Sequence, residues 1–191
     1  SEVSSGEGKL EFKTTTGGTS ATKMTIDGAG AVTLATPLPV ASGGSVIKQI
    51  VNAQYTAVAS GTTAMPYDDT IPQNTEGNEF MTLAITPTSA TSKLKIDVAV
   101  NWAGRSTVRT TFALFQDSTA DAIAAFTHQT SANEVMTTSF SHTMTSGTTS
   151  ATTIKLRYGG TSGTVTMNGV LEARKNGGVA SSGITITEYT A

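Results

Sequence analysis

From Lys93 to Asn101 the chain reads KLKIDVAVN, and its side chains alternate along an extended backbone. Leu94, Ile96, Val98 and Val100 fall on one side, Lys93, Lys95, Asp97 and Asn101 on the other. A period of two is the signature of a strand with one buried face. The period recurs in Met81, Leu83 and Ile85, a run that Pro87 ends. In VRTTFALFQD, Phe112 and Leu114 oppose Ala113 and Phe115, so both faces of that strand are expected to be covered. Further strands are predicted over 135–145, 152–160, 163–169 and 184–190. The stretch TADAIAAF, residues 119–126, has helical composition but is short, and it reads as a loop or a single turn.

Threonine occupies 37 of the 191 positions, and charged residues only 14% against about 25% in ordinary domains. Its β-branched side chain favours extended backbone. Short alternating strands separated by turn residues predict an all-β fold over residues 46–191: a jelly-roll-like antiparallel β-sandwich.

Residues 8–40 are built differently. Leu10 and Phe12, Met24 and Ile26, and Val32 and Leu34 form three very short alternating pieces bounded by Gly17-Gly18 and by Gly28 and Gly30. Two apolar side chains per strand cannot close a core, and an isolated hairpin is marginal in water. Residues 1–36 therefore read as a β arm that lies against other chains, identical copies being the simplest. Residues 37–45, with Pro37 and Pro39 and then Ser42 to Gly44, read as a linker. The opening SEVSSGEGK lacks the layout of a signal peptide and reads as though cut from a longer protein.

A net charge of −2 gives no electrostatic footprint for nucleic acid or an anionic membrane surface. No apolar run approaches the roughly 20 residues of a membrane helix, so no membrane insertion is expected. Without cysteine, neither disulfides nor thiolate metal sites are possible. Nothing calls for a cofactor, and no nucleophile motif or phosphate-cradling loop is visible.

Four carboxylates, Asp68, Asp69, Glu76 and Glu79, gather in MPYDDTIPQNTEGNEFM. Adjacent acids on a strand point to opposite faces, and Pro66 and Pro72 frame them, so a loop that ties its own backbone is one reading. A calcium site from Asp68, Asp69 and Glu76 is a second, and an acid pair cleaving a glycosidic bond a third. His142 shares the register of Met136, Phe140 and Met144. It is either a hydrogen-bonded histidine against an apolar layer or, in three copies on a symmetry axis, an ion ligand. Trp102 follows Val100-Asn101 and precedes Gly104-Arg105. Either it plugs the end of the sandwich or, at a strand end, its exposed indole forms a sugar-stacking platform with Asn101 and Arg105; Tyr67 and Tyr158 are similar cases.

The arm segment KMTIDGAGAVTLATPL resembles a segment of bacteriophage tail fibre and tailspike proteins. The body resembles a terminal module of the same proteins in IVNAQYTAVASGTTAMPYDDTIPQNTEGNEFMTLAITPTSATSKLKIDV, in ALFQDSTADAIAA, in SATTIKLRYGG, in TVTMNG and in SSGITITEY. The resemblance implies a homotrimer joined to upstream fibre segments and an extracellular place at the virion's distal tip. It also implies a jelly-roll head like those of tumour-necrosis-factor and complement globular domains. It hands over no defined catalytic or receptor residues. The expected function is non-enzymatic attachment to a bacterial surface glycan through Trp102, Arg105, Asn101 and Tyr67. The alternatives are a purely structural trimerisation module and, using the acidic loop, polysaccharide cleavage.

Overall fold

The computed structural model describes residues 9–16, 19–35 and 46–190. The chain divides into two compact units, Ser1–Gly44 and Ser45–Ala191. The Gly17-Gly18 turn and the whole of the 37–45 linker lie outside the described residues.

The first unit is an antiparallel meander of β1 (Leu10–Thr16), β2 (Thr19–Ile26) and β3 (Val32–Leu34). Its register pairs Leu10 with Ile26 and Phe12 with Met24, and these in turn with Val32 and Leu34. All six apolar side chains thus share one face, as the alternation predicts. None is fully buried, and Val32 is 60% exposed. The β2–β3 turn is made by the Asp27 carboxylate, which accepts from the amides of Ala29 and Ala31, and by Gly30 at φ +83°. Of the two turn glycines, only Gly30 uses a left-handed backbone.

The second unit is a two-layer antiparallel sandwich. One layer holds β4 (Ile47–Tyr55), β5 (Ala59–Gly61), β7 (Lys93–Gly104), β10 (Val135–Thr145), β12 (Val165–Met167) and β15 (Ser182–Tyr189). The other holds β6 (Asn78–Ile85), β8 (Val108–Gln116), β9 (Ala124–Thr130) and β11 (Thr152–Gly160), in the order β6–β11–β8–β9. In the first layer β10 pairs one edge of β7 along its length. The other edge takes β15 opposite residues 93–99 and β12 opposite 102–104. Strands β4 and β5 pair β15 and β12 in turn, so six strands fill four positions. Apart from the β8–β9 hairpin and the collinear pairs β4–β5 and β12–β15, successive strands cross between the layers as in a jelly roll.

The alternation of β7 continues from Leu94 through Val100 to Trp102, and all five inward residues are buried. They pack on Phe112 and Leu114 of β8, Ile154, Leu156 and Tyr158 of β11, and Ile184 and Ile186 of β15. Each such side chain contributes about 1.5–3 kcal/mol on burial. Strand β8 is covered on both faces, since Ala113 and Phe115 pack under Met65 and Ala122. His142 is half-buried on the face of β10 that carries Met136, Phe140 and Met144.

Three boundaries differ from the sequence reading. Ala124 to Phe126, expected in a loop, start β9, because pairing with Ala113 and Leu114 of β8 overrides weak local β propensity. The 163–169 strand stops at Met167. The last strand starts at Ser182, and Asn168–Ser181 leaves the sheet between two collinear halves, β12 and β15. This excursion contains a short hairpin, β13 (Gly169–Val170) with β14 (Ala173–Arg174), and a 3-10 turn over Asn176–Gly178.

The strand directions give the sandwich two unlike ends. The chain enters at Val46, whose amide donates to Thr190 Oγ1 while its carbonyl accepts from the Thr190 amide. The loops after β6, β8 and β10 share that entry end. About 40 Å away along twelve-residue β7, the turns after β7 and β9, the loop 161–164 and the excursion form the free end.

Candidate functional site

The acidic loop is laid across the outer face of the second layer rather than projecting from it. A side chain on Gly159 would strike the Thr63 carbonyl, and one on Gly77 the backbone of Tyr158, so strand and loop meet backbone to backbone. The Met65 amide donates to the Gly160 carbonyl. The Arg157 guanidinium donates from Nε to Glu76 O at 2.9 Å and from Nη2 to Gly77 O at 2.7 Å. At its other end Gln73 reaches Asp121, and the Asn74 amide donates to Ala120 O.

Within this frame Asp68 and Glu76 cap their own turns. Asp68 Oδ1 accepts from the Thr70 hydroxyl and amide, and these bonds hold its pKa below the ordinary value. Glu76 Oε2 accepts from the Gln73 amide. Glu79 is near Arg157 and Lys155, at 3.8 and 3.9 Å. The candidate calcium set is therefore not assembled, and among the described residues no group of three or more His, Asp or Glu side chains converges. The physical reason is local: Asp68 and Glu76 are each engaged by an amide of their own turn, at Thr70 and Gln73.

Tyr67 emerges from this loop 56% exposed, with the Arg109 guanidinium 4.8 Å from its ring centroid. Such a stack is worth about 0.5–1 kcal/mol at an exposed site. Arg109 Nε also donates to Gln129 Oε1 on β9, which fixes the guanidinium under the ring. The next residues, Asp68 to Pro72, form one wall of a cleft of about 340 Å³ whose other wall is Ala122 to Ala125. Asp69 and the exposed Ile71 line it. An exposed aromatic face beside carboxylate and amide groups can stack on a sugar ring and hydrogen-bond its hydroxyls.

The other expected residues are placed elsewhere. Trp102 is fully buried, packs edge-on against Phe112 and donates from Nε1 to Thr138 Oγ1 at 2.8 Å. The exposed indole is thereby corrected: β7 runs on to Gly104, so Trp102 lies inside the strand on its inward face. Tyr158 is likewise buried, stacked between Phe80 and Phe112, and burial pushes its phenol pKa well up. Asn101 serves the junction between β12 and β15. Its amide donates to Ser182 Oγ and its carbonyl accepts from the Asn168 amide. Arg105 is exposed at the free end, its Nη1 3.1 Å from both carboxylate oxygens of Glu172. Arg109 escaped the sequence reading. Its signal is parity, since it shares the outward face of β8 with Thr111 and Ala113, but nothing local foretells that Tyr67 folds over it.

A larger trough of about 500 Å³ lies on the outer face of the first layer, lined by Asn52, Asp97, Ser139, Ser141 and Thr185 over Ala99 and Gly183. It is shallow, and the one aromatic residue that lines it, Phe140, is half-buried. The entry end holds Glu188, the one carboxylate buried completely among the described residues. Burial pushes its pKa up, but Gln49 Nε2 at 2.6 Å, the Thr88 hydroxyl and amide at 2.7 and 2.8 Å, and Ser92 outweigh that and hold it at about 2, below the ordinary 4.5. A buried carboxylate bound by neutral donors of two segments, β4 and the β6–β7 loop, is a structural clasp.

These features define an antiparallel β-sandwich with a surface platform and no assembled metal cluster among the described residues. No protein-family model matches the chain, and no curated protein matches it in sequence. Among solved structures, a carbohydrate-binding module described as CBM4 is 18% identical over 66% of this chain and 75% of its own, with a TM-score of 0.37. The enzymatically active domain of a tailspike protein of bacteriophage CBA120 is 13% identical over 63% of this chain and 18% of its own, with a TM-score of 0.28. Latent PorU from Porphyromonas gingivalis is 12% identical, with a TM-score of 0.37, and this chain covers 14% of it. These are loose likenesses between β-rich proteins.

Proposed function

We propose that this chain is the receptor-binding tip of a phage tail fibre, a homotrimer on the virion exterior that attaches to a bacterial surface glycan without cleaving it. The observation that carries the glycan reading is Tyr67, an exposed ring held over Arg109 beside the cleft of Asp69 and Ile71. The phage and trimer parts rest on the resemblance of the sequence to tail fibre modules. The one-sided apolar sheet of the arm supports association, because its six side chains have no second layer among the described residues of their own unit. Three shallow sites would gain avidity through effective concentration.

Retention of the intact chain on host bacteria, with its native mass measured alongside, tests this reading. The expected result is a trimer whose retention falls at least tenfold in Tyr67→Ala without a change in mass. Undiminished retention by that variant would remove Tyr67 from the site. The arm's apolar face also favours a second reading, a purely structural trimerisation module. A trimer retained by no cell surface or lipopolysaccharide would establish it instead.

A further inference from the structure

The free end differs in charge from the rest of the molecule. The chain has net charge −2, yet three of its four arginines, Arg105, Arg109 and Arg174, lie at this end with Lys175, against Glu134 and Glu172. Glu172 is taken by Arg105, while Arg109, Arg174 and Lys175 have no carboxylate partner among the described residues. Arg174 and Lys175 are exposed on the excursion.

The same end holds unusual backbone. Among the described residues six non-glycine residues have positive φ, and five of them, Asn133, Asn168, Leu171, Glu172 and Asn176, are here. Asparagine tolerates that region, but Leu171 at φ 53° and Glu172 at φ 58° do not, and they form the two-residue turn where Asn-Gly would be relaxed. Leu171 is also 47% exposed, so core packing does not explain its place. The root of the excursion is by contrast fully bonded. Asn168 Nδ2 donates to the carbonyls of Tyr55 and Ala57, and Ser182 Oγ donates to Asn168 Oδ1. A rigid root under a strained, exposed, cationic tip is the arrangement of a recognition loop.

We infer that the excursion Asn168–Ser181, which lies over Thr166 on the outer face of the first layer, is a recognition loop for an anionic saccharide, one bearing phosphate or carboxylate groups, which Arg174 and Lys175 bind. Guanidinium suits both groups by bidentate hydrogen bonding. This rests on the glycan reading and names the class of glycan. It is tested with the full chain on immobilised bacterial polysaccharides of three kinds: neutral, uronic-acid-bearing and phosphorylated. The expected result is retention on the anionic kinds, at least tenfold lower in 300 mM than in 30 mM salt. The double variant Arg174→Ala, Lys175→Ala should lose at least tenfold while keeping its melting temperature. Salt-independent retention on neutral polysaccharide, unchanged in the double variant, overturns the inference and leaves the glycan reading standing. Retention on none of the three kinds, nor on host cells, overturns both.

Discussion

The two ends of the sandwich handle polar and strained groups in opposite ways. At the entry end, Glu188 is buried and satisfied, Ser146 and Gly147 tie the β10–β11 loop to Ser89, Ala90 and Ser92, and Asp117 binds Thr152 and Thr153. At the free end, left-handed Leu171 and Glu172 stand exposed, and Arg109, Arg174 and Lys175 have no carboxylate partner among the described residues. One fold thus separates the work of holding its chain from the work of presenting side chains. Strain is tolerable at the free end because the bonded root of the excursion keeps it from spreading into β7 and β15.

The largest effect tests where that contrast stops. Trp102 lies toward the free end but in the core, so Trp102→Ala should cost about 3–5 kcal/mol of unfolding free energy, through lost packing and the stranded Thr138 hydroxyl. Chemical denaturation measures it. A loss below 1 kcal/mol would mean that the free end is loose throughout, not only at its surface.

Next comes the clasp. A carboxyl whose pKa in the fold, about 2, lies below its ordinary 4.5 contributes stability that is complete above about pH 4.5 and is lost as pH falls toward 2. The denaturation midpoint should therefore drop over that window, and the drop should shrink in Glu188→Gln. At neutral pH Glu188→Ala leaves the donors of Gln49 and Thr88 unmet and should cost about 1–3 kcal/mol. An acid profile identical in wild type and Glu188→Gln would show that the entry end is held by something else.

What could be read from sequence follows the same division. Period two located β7, β8 and β10 and the one-sided register of the arm, because a buried face imposes its spacing on the chain. The same parity carries Trp102 and Tyr158 inward, as even-numbered residues after Val100 and Leu156. The exposed indole expected at Trp102 came from reading Gly104-Arg105 as a loop too early. Arg109 beneath Tyr67 and the clasp on Glu188 were hidden, since each joins segments distant in sequence by pairing that no local pattern encodes. The excursion was not read from the sequence, which carried the strand through Gly169, and the cost of its turn depends on φ at Leu171, which only the structure gives.

That cost can be recovered by substitution. Asparagine accepts the left-handed region, so Leu171→Asn should stabilise the chain by about 1 kcal/mol, a gain from relaxing an exposed residue. Its sign is opposite to that expected for trimming any residue of the core. A destabilised Leu171→Asn would place the leucine in an apolar contact and remove strain from the account of the free end.

The smallest effect decides what holds the strained turn in shape. Arg105 and Glu172 form an ion pair exposed to solvent on both sides, a class worth about 0.2–1 kcal/mol, whereas the β13–β14 pairing and the bonded Asn168 root act on the backbone itself. If the backbone holds the turn, Glu172→Gln should lower stability by no more than about 0.5 kcal/mol. Leu171→Asn should then give the same gain in either background, because the two terms do not share a partner. If the ion pair holds it, Glu172→Gln releases the turn, and Leu171→Asn adds nothing once the strain has been relieved. A double-mutant cycle at Leu171 and Glu172, read by denaturant midpoints, separates the two, and a coupling near zero assigns the shape of the free end to its root.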